Sequence, residues 1–155
     1  MRRLRISMVG VALILVTTSL LGTAAPSALA GARQQDLARR QMLEATNGSR
    51  HSHHVGDLSL NAQMSALAEH HSAEMAKRGY LFHTPNAGTY LAGVSWRTWG
   101  ENIGYTQGGT VSELQKAFMH SPVHRDNILN GAYGHVAIGT VSRDGTLWVT
   151  VFFYG

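Results

Sequence analysis

Cysteine is absent from the chain, which excludes disulfide scaffolds, zinc ribbons, iron–sulfur clusters and thiol nucleophiles together. Any bound metal must be held by His, Asp, Glu or backbone oxygen. Proline is scarce at three residues, and charged residues make up only 14%. With 44% hydrophobic residues beside that low charge, a disordered tail, a collagen-like repeat and a highly charged coil are all excluded. No internal repeat or low-complexity tract divides the 155 residues, which suffice for one ordinary domain and one core.

The net charge of +4 raises the question of anionic partners, and the location of the charge answers it. Arg2, Arg3 and Arg5 precede the uncharged run Ile6–Leu21, which leads to Ala28-Leu29-Ala30. These are the basic start, apolar stretch and A-x-A site of a secretory signal peptide. The run falls short of the roughly 20 residues that span a bilayer, although a signal anchor is the rival reading. The sequence therefore predicts a signal peptide over 1–30 and a secreted, extracellular domain over 31–155, with no stable membrane insertion after cleavage. Removing those three arginines from the thirteen basic residues leaves ten against nine acidic ones, so nucleic acid is not an expected partner. All nine histidines lie beyond residue 50, so the domain becomes more cationic below about pH 6.5.

Periodicity predicts a short amphipathic helix over Arg33–Ala45 on Leu37 and Leu43, broken by Asn47-Gly48, then a histidine-rich loop from Arg50 to Gly56. Leu60–Lys77 reads as the principal core helix, with Leu60, Met64, Leu67, Ala68, His71 and Met75 on its apolar stripe. Ser59 or Asn61 can cap it, and Gly79 can end it. Residues Tyr80–Gly109 carry no long periodic run and predict loops with one or two short strands. Thr110-Val111-Ser112-Glu113 is a capping box opening a helix on Val111, Leu114 and Phe118. Pro122 ends that helix, and Ser121-Pro122 can start another reaching Leu129. Finally, His135–Val141 and Leu147–Phe153 alternate at period two around Asp144-Gly145 and predict a C-terminal β-hairpin. Because both faces of Leu147–Phe153 are apolar, that strand should be central. The fold class expected is α+β, helices flanking a small antiparallel sheet.

Four stretches stand out together: Asn47-x-x-Arg50; Ala68-Glu69-His70-His71 leading to Phe82-His83-Thr84; Gly100-Glu101-Asn102-Ile103-Gly104; and Ser121-Pro122-Val123-His124-Arg125-Asp126-Asn127, followed by Val136-Ala137-Ile138-Gly139. In that order and spacing the chain resembles the bacterial branch of the CAP superfamily, also called the SCP domain. This is the domain shared by cysteine-rich secretory proteins, antigen 5 and pathogenesis-related 1 proteins. The resemblance implies an α-β-α sandwich with a cleft lined, in many members, by two His and two Glu that can hold a divalent ion. It places the first His at His83, the first Glu at Glu101 and the second His at His124. The second Glu has no counterpart, since Phe118 takes the place of the preceding Trp and Ser121 the place of the Glu itself. It also implies an extracellular ligand that is a lipid (sterols among them), a glycan or a protein.

On physical grounds, two neutral imidazoles and one carboxylate suit Zn²⁺ or a similar divalent cation, with a position left open for water. His83 and His124 are 41 residues apart, so local geometry cannot bring them together. The bland readings stay open: His83 as a loop residue, Glu101 as a support for the Asn102 turn, His124 as an ordinary hydrogen-bonded imidazole in a first helical turn. Other residues read as structure. Glu113 belongs to its capping box. His70 and His71 point about 100° apart and cannot both face one site. The His51, His53 and His54 segment reads as solvated, with weak metal pickup as its rival. Gly104–Gly109 lacks P-loop spacing, and Trp96, Trp99 and Trp148 are core or cleft wall. Ser121 and His124 make a poor nucleophile and base without an elbow glycine or an orienting carboxylate. The favoured reading is thus a secreted binding module with a His83, Glu101 and His124 cleft, leaning away from an enzyme. A metal-assisted hydrolase with Glu101 as base is the alternative.

Overall fold

The computed structural model describes residues 26–155, so the basic start and apolar run of the expected signal peptide lie outside the described residues. Helices α1 (Pro26–Ser52), α2 (Ala62–Arg78), α3 (Gly88–Leu91), α4 (Val111–His120) and α5 (Pro122–Leu129) enclose β1 (Ser59–Leu60), β2 (Trp99–Gln107), β3 (His135–Arg143) and β4 (Thr146–Tyr154). The strand order is β1-β3-β4-β2. β4 is antiparallel to both neighbours, while the two-residue β1 runs parallel to β3, so the sheet departs from the expected antiparallel pattern at one edge. The point expected for signal cleavage, Ala30–Gly31, falls inside α1. Among the described residues no helix is long and apolar enough to cross a membrane.

The hairpin forms where expected. Asp144 and Gly145 both have positive φ, 49° and 75°, the turn geometry whose twist matches paired strands. Beyond the turn, alternation divides the core. Val149, Val151 and Phe153 join Val136 and Ile138 against α1, α4 and α5. On the other face, Phe152 and Tyr154 join Met64, Ala68, Tyr90 and Leu91, while Trp148 packs with Met75 and Ile103. Helices on both faces of one sheet give the α-β-α sandwich, and β4 is central.

Helix α2 begins at Asn61, whose side-chain oxygen accepts from the Met64 N–H, and ends at Gly79 in the left-handed region. Its buried stripe is Met64, Ala68, His71 and Met75. Leu67, expected on that stripe, is 37% exposed, and Leu60 has moved into β1. The helix lies hard against β3 at Gly139, where an added Cβ would meet the Ala68 and Glu69 backbone at 2.0–2.2 Å.

Two expectations about element length are corrected. α1 does not break at Asn47-Gly48 but runs to Ser52, so His51 is helical rather than in a loop. Tertiary bonding overrides the weak helix formers there: the Asn47 side chain both donates to and accepts from the Leu58 backbone, at 3.1 and 2.9 Å. The buried stripe of α1 is Ala38, Met42, Thr46 and Arg50, and Leu37 is exposed. Arg50 explains the extension. The residue is 1% exposed, and its guanidinium donates to four carbonyls, those of Gly56 at 2.6 Å, Ile128 at 2.8 Å, Asn130 at 3.0 Å and Tyr133 at 2.9 Å. The second correction is β2, a nine-residue strand where only short ones were expected. Gly100, Glu101, Asn102 and Gly104 hide its period-two pattern, because close backbone approach and polar bonding replace apolar side chains at those positions.

Gly139→Ala should cost about 1–3 kcal/mol, toward the upper end because the obstacle is helix backbone rather than a movable side chain. Gly131→Ala, where an added Cβ meets nothing, is the control. Equal melting temperatures for the two variants would show that α2 does not rest on β3 at this point.

Candidate functional site

Glu101 and Asn102 are consecutive residues of β2, so the pleat sends their side chains to opposite faces of the sheet. Glu101 lies opposite Phe152 and Asn102 opposite Val151, on the α2 and the α4 side respectively. One short stretch of edge strand thereby holds two different segments of the chain.

On the first face, Glu101 anchors residues 83–84. Its Oε2 accepts from His83 Nδ1 at 2.7 Å and from the Thr84 N–H at 2.9 Å, and its Oε1 accepts from the Thr84 hydroxyl. Both carboxylate oxygens are therefore engaged, and the side chain is 2% exposed whereas that of His83 is 66% exposed. An ionised carboxylate only accepts, so His83 Nδ1 carries the proton and Nε2 is turned away from Glu101. The buried acid orients an imidazole that faces water. Tyr90 stands behind this pair with its phenol pushed up to about 12, chiefly by burial; the Thr84 hydrogen bond opposes the rise and the Glu101 charge adds to it. Its hydroxyl donates to the Leu67 carbonyl at 3.1 Å.

On the second face, Asn102 Nδ2 donates to the His124 carbonyl at 2.9 Å. Asn127 Nδ2 donates to Asn102 Oδ1 at 2.8 Å and reaches the Glu101 carbonyl at 3.3 Å. These bonds fix α5 against β2 at both of its turns. Gly100 makes the approach possible, since a Cβ there would lie 2.5 Å from Asn127 Oδ1 and 2.7 Å from the Tyr133 hydroxyl oxygen. The His124 ring packs on Phe118 with centroids 5.0 Å apart. Its pKa is lowered from the ordinary 6.5, first by burial and then by the charge of His83. His83 and His124 thus belong to segments held on opposite faces of the sheet by consecutive residues of β2.

Ser121 joins α4 to α5 with extended backbone, and its carbonyl accepts from the Arg125 N–H at 2.8 Å. The expected N-cap bond from its side chain is not made; Pro122 takes the first helical position, where an N–H would have no intrahelical partner. Among the described residues no three His, Asp or Glu side chains are grouped to hold an ion. His51, His53 and His54 are exposed, and His53 Nδ1 is paired with the Ser49 carbonyl at 2.8 Å. His71 is a satisfied core residue, 7% exposed, with Nε2 at 2.8 Å from the Phe82 carbonyl. The capping box of Thr110 and Glu113 is complete. Trp148 is core, while Trp96 and Trp99 are 45% and 42% exposed. Sequence reasoning assigned no role to Arg50, Thr84, Asn102 or Asn127. The available signal for the pair at 101–102 was an acid and an amide side by side in a strand.

The Cysteine-rich secretory protein family, CAP, matches residues 43–153. The chain belongs to this family. It is 33% identical over 119 residues to the uncharacterized protein YkwD of Bacillus subtilis (strain 168), covering 73% of this chain and 46% of that protein. An extracellular protein containing an SCP domain from Bacillus anthracis str. Ames aligns with 26% identity and a TM-score of 0.67, covering 86% of this chain and 44% of the other. An outer surface protein of Borrelia burgdorferi has the same fold at 13% identity and a TM-score of 0.65, covering 74% of this chain and 90% of that one. The CAP chain therefore spans less than half the length of the two Bacillus proteins it resembles.

The lowered pKa of His124 in this CAP domain makes stability depend on pH. The unfolded chain takes up the proton first, so this contribution is fully present above about pH 6.5 and is lost as pH falls through that value toward the folded pKa. His124→Gln should therefore flatten the decline of melting temperature between about pH 7 and pH 5 relative to the unaltered protein. Parallel declines would show that His124 is not held neutral by its surroundings.

Proposed function

We propose that the chain acts as an extracellular binding module and that the cleft of His83, Glu101, Ser121 and His124 is where it engages its ligand. One observation carries this reading: a carboxylate 2% exposed spends both oxygens on holding an exposed imidazole and its neighbour. Burying a charge is costly, and here the structure sustains it to orient a group that faces solvent. The description of the Bacillus anthracis relative as extracellular supports the location, as does the signal-like start of the sequence.

The same bonding argues for binding rather than hydrolysis. Glu101 orients His83 and not His124, so Ser121 and His124 lack the third member that a nucleophile–base pair needs. A divalent cation meets the donor set only in part. The His83 Nε2 and the His124 imidazole are the groups that would touch it, with Glu101 behind His83 rather than in contact. Two imidazoles fall short of the three protein ligands of a catalytic zinc site, so the cation is proposed as an exchangeable ligand and no reaction step is derived through it.

Zn²⁺ should raise the melting temperature in a concentration-dependent way, and less at pH 5.5 than at about pH 7.5, because protons compete for imidazole. The His83→Ala/His124→Ala double variant should lose that response. A variant lacking His51, His53 and His54 should keep it, and the reverse pattern would overturn the cleft assignment. Zn²⁺-dependent turnover of peptide or ester substrates that disappears in Glu101→Gln would replace the binding module by a hydrolase.

A further inference from the structure

Trp99 opens β2 two residues before Glu101, so both side chains stand on the same face of the strand. Its indole is stacked on Phe152 with centroids 5.5 Å apart and planes 7° apart, and Phe152 is stacked on Tyr90 at 4.5 Å and 10°. Tyr90 and Phe152 are buried, 3% and 0% exposed, whereas Trp99 is 42% exposed. Three near-parallel rings thus lead out from the core, and the outermost is partly open to solvent on the face of β2 where Glu101 holds the exposed His83. An indole held this way has little rotamer freedom left to lose on binding, unlike a mobile surface side chain.

We infer that Trp99 is a stacking platform for a sugar ring and that the ligand of the cleft is a glycan chain; this rests on the binding reading above. A pyranose has an apolar face of C–H groups and a rim of hydroxyls. It therefore needs a flat aromatic surface with a hydrogen-bonding group nearby, and the strand face that carries Trp99 also carries His83, whose Nε2 is turned away from Glu101 and is free to bond a hydroxyl. The alternatives are less well served. An acyl chain gains by being enclosed on all sides, and this ring is an open surface. A nucleic acid or strongly anionic polymer needs a cationic stripe, whereas Arg97 is the one arginine or lysine in the 93–98 loop leading to the platform.

Titration of the full domain with neutral tetrasaccharides (chitotetraose, cellotetraose and maltotetraose), followed by calorimetry and tryptophan fluorescence, tests the inference. At least one should bind saturably, with affinity reduced about tenfold or more in Trp99→Ala. Trp99→Tyr keeps a flat ring on Phe152 and should retain most of the binding, which separates stacking from a folding defect. Saturable binding unchanged in a folded Trp99→Ala variant overturns the platform, as does the absence of binding by all three sugars. The Zn²⁺ response of these variants distinguishes the two readings: Trp99→Ala should leave it intact. In the unaltered protein, a Zn²⁺ response without binding of any of the three sugars sinks the glycan assignment and leaves the cleft standing, whereas the absence of both removes the cleft as well.

Discussion

The buried guanidinium of Arg50 is the interaction on which the arrangement of the helical layer depends. It satisfies carbonyls at Gly56, Ile128, Asn130 and Tyr133, which belong to the segment after α1, the end of α5 and the approach to β3. Burial lowers its pKa while Asp57 opposes the shift, yet an arginine stays charged at any ordinary pH. The planar fork serves four acceptors that no apolar side chain could serve, and its bonds to the Ile128 and Tyr133 carbonyls are made in buried surroundings, where an unpaired carbonyl is costly. Through those bonds α1 determines where α5 ends, and α5 carries His124.

The other end of α5 is set by β2. Asn102 holds it at the His124 carbonyl and at Asn127, while Glu101, one residue away, fixes the 83–84 segment on the opposite face. The proposed site therefore lies around the edge of a sheet, and the alternation of a strand places its two halves. Substitutions at Gly100 would disturb both the Asn127 contact and Tyr133, so the glycine belongs to the geometry of the site although it has no side chain to contribute.

Much of this was legible in the sequence, and the legible parts share a cause. The hairpin, the capping box, α2 and the central position of β4 are local or alternating patterns, and each is written in a few neighbouring residues. The length of α1 and the existence of β2 were not legible, because residues distant in sequence decide them: Leu58 bonds to Asn47, the carbonyls near residue 130 capture Arg50, and Asn127 and Phe118 fill the space that Gly100 and Gly104 leave. The same applies to the cleft. The resemblance placed His83, Glu101 and His124 in one region, but only the bonding distinguishes an acid that touches a ligand from an acid that holds a histidine.

The order β1-β3-β4-β2 has a consequence for how the chain acquires its structure. β4 is the last strand in sequence and lies between β2 and β3, which share no hydrogen bonds with each other. No sheet larger than the two-residue β1–β3 contact can exist until residues 146–154 are present, and Arg50 cannot close its bonds to Ile128 and Tyr133 until those residues, about 80 positions later, are present. Helix formation is local and fast, whereas these long closures come late. A nascent or threading chain would therefore lack its sheet, and the two apolar layers packed on it, until residues 146–154 had emerged.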